Sequence, residues 1–142
     1  MIKQNIVFVE NKAGSLKRVT GLLANNNINI YGFACFDAPE FAIFRMICDD
    51  SDKAEIILNQ SGYMNRITQA IVVDMKDQVG GLDELLKIMA DSNVSLDYIY
   101  TSFHRKDLRP VVILHSEDIT VTESVLKNNG FKVFSAADEL EK

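Results

Sequence analysis

The chain has no tryptophan, only two prolines and only two histidines, so histidine-rich metal sites and relay-type catalytic centres have little to build on. Its two cysteines, Cys35 and Cys48, form no CxxC pair; no metal or cofactor motif is present, and both thiols are expected to be reduced and buried inside apolar stretches. Basic residues are also short, 15 against 20 acidic ones, and the net charge of −5 opposes attraction to a phosphate backbone or an anionic membrane. No apolar run approaches the roughly 18 residues of a membrane span, and Met1 to Glu10 alternates like a strand instead of resembling a signal peptide. A cytoplasmic protein that engages neither nucleic acid nor membrane is expected. What remains is a globular composition in 142 residues, enough for one domain or two small units.

Self-comparison decides between these. ENKAGSLKRVTGLLANNNINI at 10–30 aligns without a gap on KDQVGGLDELLKIMADSNVSL at 76–96. Gly14 meets Gly80, Leu16 meets Leu82, Ala24 meets Ala90 and Asn27 meets Asn93. Beyond the next strand the second copy gains two residues, after which Asp50 meets Asp118 and Gly62 meets Gly130. The extra length falls in a hairpin connection, where insertions are tolerated.

Each copy begins with an alternating strand, Ile6 to Val9 and Ile71 to Met75, followed by a glycine turn and an amphipathic helix. Leu82, Leu85, Leu86 and Met89 form the apolar stripe in the second copy, and Leu16, Val19, Leu22 and Leu23 a looser one in the first. Asn25 to Asn27 and Asp91 to Asn93 stop these helices. Hairpins follow, Ile28–Phe36 with Phe41–Cys48 and Val94–Phe103 with Val111–His115. Asp52 with Glu55 and Thr120 with Glu123 read as capping boxes of second helices that end at Gly62 and Gly130. Last strands are expected at Tyr63–Ile67 and Phe131–Ser135. The fold class is therefore α+β: two tandem ferredoxin-like βαββαβ units, 1–68 and 69–142, with antiparallel sheets covered by helices on one face.

The chemistry-bearing segments are the two strand-to-helix turns, Asn11-Lys12-Ala13-Gly14-Ser15-Leu16 and Asp77-Gln78-Val79-Gly80-Gly81-Leu82, both N/D-x-x-G-x-L. Small residues let the backbone turn sharply, and a helix start presents amide N–H groups that suit a carboxylate. The plainer reading is that Gly14 and Gly80 only permit the bend, with Ser15 or Asp77 capping the helix.

With these turns, the order of elements and the Asn27-Ile28 and Asn93-Val94 entries to the second strands, nearly the whole chain resembles a tandem ACT-domain protein. The resemblance implies a non-catalytic regulatory module that binds an amino acid at the interface between units, acting on enzymes or transcription factors of amino-acid metabolism. Carried over by position, the ligand-binding residues are Asn11, Ala13, Gly14, Ser15 and Leu16 with Asp77, Val79, Gly80, Gly81 and Leu82. Tyr31, Phe33, Tyr98 and Tyr100 would form the neighbouring wall. Lys12-Ala13 and Gln78-Val79 stand where many members carry a proline, so looser turns are expected.

No catalytic residue is assigned. His104 with Asp107, or an anion site at Arg105, Lys106 and Arg109, reads as a solvated loop. Apolar residues on both alternation sets of Tyr98-Ile99-Tyr100 predict that the sheet packs on helices and on another subunit, hence a homodimer, with a separately encoded enzyme as a further partner. The alternative is a protein–protein adaptor of the same fold without a metabolite ligand.

Overall fold

A computed structural model describes residues 1–103 and 106–142. His104 and Arg105, part of the loop considered above for catalysis or anion binding, lie outside the described residues. The order of elements is β1 (Ile2–Glu10), α1 (Ser15–Asn25), β2 (Ile30–Asp37), β3 (Phe41–Cys48), α2 (Ser51–Gln60), β4 (Asn65–Asp74), α3 (Gly81–Asp91), β5 (Leu96–Ser102), β6 (Val111–Ser116) and α4 (Ile119–Asn128), closed by a 3-10 turn at Ala137–Glu141. These form two tandem βαββαβ units. The first compact unit is Lys3–Thr68, and the second is Gln69–Lys142 together with Met1–Ile2.

In the first unit β3 pairs antiparallel with β1, from Asn5 opposite Met46 to Glu10 opposite Phe41, and with β2 on its other side. Val7, Val9, Phe44 and Met46 alternate onto one face and pack against Val19 and Leu23 of α1 and Ala54 and Leu58 of α2. In the second unit β6 pairs antiparallel with β4 and β5, and Ile71, Val73, Val112 and Leu114 meet Leu85, Met89 and Leu126. The period of two on the strands and of about 3.6 on the helices, read from sequence, is what aligns these faces.

Turn chemistry follows the repeat. Asn27 and Asn93 take left-handed φ of 58° and 55°, and the Ile28 and Val94 amides donate back to the Leu23 and Met89 carbonyls at 3.0 and 2.9 Å. Gly62 and Gly130, φ 81° and 82°, end α2 and α4 in the same way.

Five expectations need correction. The second helices are capped by Asp50 and Asp118, whose carboxylates accept from the Lys53 and Val121 amides at 3.0 and 3.1 Å; Asp52 and Thr120 lie inside the first turn. The last strand of one copy and the first of the next are a single ten-residue strand, β4. The stretch 131–135 reduces to an isolated bridge, Val73 opposite Val133, held by Asp74 N–H to the Lys132 carbonyl and Phe134 N–H to the Val72 carbonyl. Leu82 and Leu86 are exposed, because the core-facing stripe of α3 runs through Gly81, Leu85 and Met89. Cys35 is exposed on β2, and only Cys48 is buried.

Replacing Asp50 or Asp118 by alanine leaves one helix-start amide without its acceptor and is expected to cost about 1 kcal/mol each. Urea unfolding of the two variants checks this; unchanged midpoints would mean that the caps are dispensable.

Candidate functional site

Both glycine turns are built alike. Ser15 N–H donates to the Lys12 carbonyl at 3.2 Å and Gly81 N–H to the Gln78 carbonyl at 3.0 Å, closing four-residue turns. Gly14 (φ 83°, ψ −8°) and Gly80 (φ 85°, ψ 0°) occupy the left-handed region, and their carbonyls accept the first helical bonds from Arg18 and Glu84. A Cβ at either position would meet nothing within 4 Å, so glycine is required there by backbone angle and not by crowding. No side chain caps either helix start, which overturns the capping role for Ser15 and Asp77. The amides of Leu16 and Lys17, and of Leu82 and Asp83, are thereby left to outside partners.

The ten expected ligand residues separate into distinct environments. Asn11, Ala13, Gly14, Asp77, Val79, Gly80 and Leu82 are exposed, Leu16 is half-buried against the first core, and Ser15 and Gly81 are buried. Asn11 uses its side-chain amide to reach the Ala38 carbonyl at 3.3 Å, which ties the turn to the β2–β3 connection. Of the expected wall, Tyr31 is buried and Phe33 is exposed, while Tyr98 stacks on Tyr100 and on His115 with ring centroids 6.4 and 5.4 Å apart. Ile99, on the opposite face, packs into the second core.

Beside each turn lies a cleft. The first, ≈ 220 Å³, is lined by the end of β1, by Ser15 and Arg18 of α1, and by Gly62, Tyr63 and Met64 after α2. The second, ≈ 210 Å³, is lined by Asp74, Lys76, Glu84, Gly130, Phe131 and Lys132 among others. These are repeat-matched positions, and each opening is somewhat smaller than the roughly 300–1,000 Å³ of a drug-sized site. In the first cleft Lys12 pairs with Glu10 and holds its carboxyl below the ordinary 4.5, with Arg18 adding to the effect. In the second, Lys76 pairs with Glu84 at 3.0 Å. Sequence reasoning passed over Arg18; its signal was charge at an aligned position, which residue identity between the copies does not register. Among the described residues no group of histidine, cysteine, aspartate and glutamate is disposed to hold a metal, and no helix is long and apolar enough to cross a membrane.

The model of one family, the ACT domain pair, matches residues 1–141. No curated protein matches the sequence. Among solved structures, a Bacteroides thetaiotaomicron protein is 28% identical, with 99% of this chain and 96% of that one covered and a TM-score of 0.88. The ligand-free regulatory subunit of aspartate kinase from Thermus thermophilus is similar in fold at 14% identity, with 90% and 91% covered and a TM-score of 0.59. Aspartate kinase from Synechocystis is 18% identical with a TM-score of 0.56, covering 94% of this chain and 26% of that one.

Proposed function

Since the chain belongs to the ACT domain pair family, we propose that it is a non-catalytic regulatory protein, its two units taken as 1–68 and 69–142, which binds an amino acid at its strand-to-helix glycine turns. The observation that carries this reading is the pair of uncapped helix starts behind Gly14 and Gly80. Such starts offer amide donors and a partial positive charge to the carboxylate of a small ligand. In this reading regulation acts through a partner enzyme of amino-acid metabolism, in the cytoplasm.

Thermal unfolding against each standard amino acid at millimolar concentration tests the reading. One amino acid, or a chemically related group, is expected to raise the melting temperature, since a ligand that binds only the folded state stabilises it by mass action. Valine at Gly14 or Gly80 is expected to abolish the rise in at least one of the two variants while each stays folded. A well-folded protein that responds to none of them would favour the adaptor.

Association of two chains is part of the proposal. Phe33 and Phe36 are 61% and 55% exposed on β2, more apolar aromatic surface than a strand usually leaves to water. Light scattering is expected to give twice the 16.0 kDa chain mass; a monomer at every concentration up to the millimolar range would sink this part.

A further inference from the structure

The two turns share a backbone but carry opposite charge. In the first, the helix begins Ser15-Leu16-Lys17-Arg18, with no acidic residue in its first turn. In the second it begins Gly81-Leu82-Asp83-Glu84, with two. Ahead of the turns, Glu10 stands where the second copy has Lys76, so charge is inverted at three aligned positions. The positive end of a helix attracts anions; Asp83 and Glu84 already neutralise that end of α3, while Lys17 and Arg18 reinforce that of α1.

The buried groups differ in the same sense. Ser15 is 7% exposed, it is among the residues that line the first cleft, and its buried Oγ has no hydrogen-bond partner. A buried hydroxyl without a partner is uncommon and disfavoured, and it points to a group supplied from outside. Arg18 lines the same cleft and closes no ion pair among the described residues, while Glu10 is held by Lys12. In the second cleft the position of Ser15 is taken by Gly81, which has no side chain to offer and packs on the Lys76 carbonyl; of the cations that line it, Lys76 pairs with Glu84, Arg109 pairs with Asp74 at 3.7 Å, and Lys132 lies over the Phe134 ring.

We propose that the chain carries a single carboxylate site, in the first unit, where the anionic head lies between the Ser15 hydroxyl, the Leu16 and Lys17 amides and the Arg18 guanidinium, and that the matching cleft of the second unit takes no anion. This rests on the reading of the turns as amino-acid sites and narrows it from two turns to one. A phosphate has related chemistry, and the test separates the two.

The experiment follows the amide spectrum of the ¹⁵N-labelled chain during titration with each amino acid and, separately, with sodium acetate and inorganic phosphate. The expected result is a saturating shift at Leu16 and Lys17 with an amino acid and, more weakly, with acetate, and none at Leu82 and Asp83. Ser15→Ala and Arg18→Gln are each expected to weaken binding about tenfold, with spectra that otherwise remain folded, and Glu84→Gln to leave it unchanged. Equal shifts at both turns overturn the single site but leave the amino-acid reading standing. Acetate acting at Leu16 and Lys17 with no amino acid doing so keeps the single site and removes that reading. Phosphate acting there without acetate overturns the carboxylate assignment, and silence at both turns with every probe overturns the site altogether.

Discussion

Valine in place of Gly81 is expected to destabilise the protein by about 3 kcal/mol, far more than alanine in place of the neighbouring Gly80. A Cβ at position 81 would stand 2.1 Å from the Lys76 carbonyl oxygen and 3.2 Å from its carbon, whereas non-bonded carbons rest about 3.5–4.0 Å apart. The obstruction is backbone, so no rotamer change relieves it and the turn from Lys76 to Gly81 must open. At Gly80 a Cβ meets open space and the difficulty is the left-handed φ of 85° alone, a cost of about 1–2 kcal/mol. Two adjacent glycines are thus required for different reasons. Urea unfolding followed by circular dichroism distinguishes them; a Gly81→Val loss no greater than that of Gly80→Ala would show that the close approach to Lys76 carries no weight.

Truncating the repeat-matched leucines of α2 and α4, Leu58→Ala and Leu126→Ala, is expected to cost about 3 kcal/mol in each case. Both side chains are fully buried, Leu58 in the first core and Leu126 in the second. Each removal deletes several methyl and methylene groups and leaves a cavity that sheet residues on one side and the first helix on the other are too constrained to fill. Denaturant midpoints of the two variants measure the effect. A loss below about 1 kcal/mol at either position would mean that the core around it collapses onto the gap.

Much of the fold was legible because the duplication doubles each signal. The left-handed caps at Asn27 and Asn93, and at Gly62 and Gly130, are local events written in residue type, and the hairpins follow from β-branched and aromatic runs. The cap assignments at Asp52 and Thr120 failed because Asp50 and Asp118 offer the same carboxylate two residues earlier, a choice made by which residue leaves the strand. Leu82 and Leu86 satisfied a helical stripe but lost burial because α3 turns Gly81, Leu85 and Met89 inward, the same aligned positions, Ser15, Val19 and Leu23, that α1 buries. At the candidate site the glycine angles were readable and the environments were not. Ser15 follows the motif glycine in the first copy and Val79 precedes it in the second, yet one is buried with an unpartnered hydroxyl and the other is wholly exposed. Ser15 shares its cleft with the nearby end of β1 and with Gly62, Tyr63 and Met64 after α2, and this second group is distant from it in sequence.

The unequal burial of the two cysteines makes the chain its own clock. Cys35 lies open on β2, while Cys48 sits in the first core, its Sγ directed at the Asn5 and Ser51 side chains, and burial raises its thiol pKa. A thiol reagent in excess therefore consumes the first equivalent at the rate of an accessible side chain. The second equivalent waits for the first core to open, so its rate counts how often native molecules breathe there without any denaturant being added.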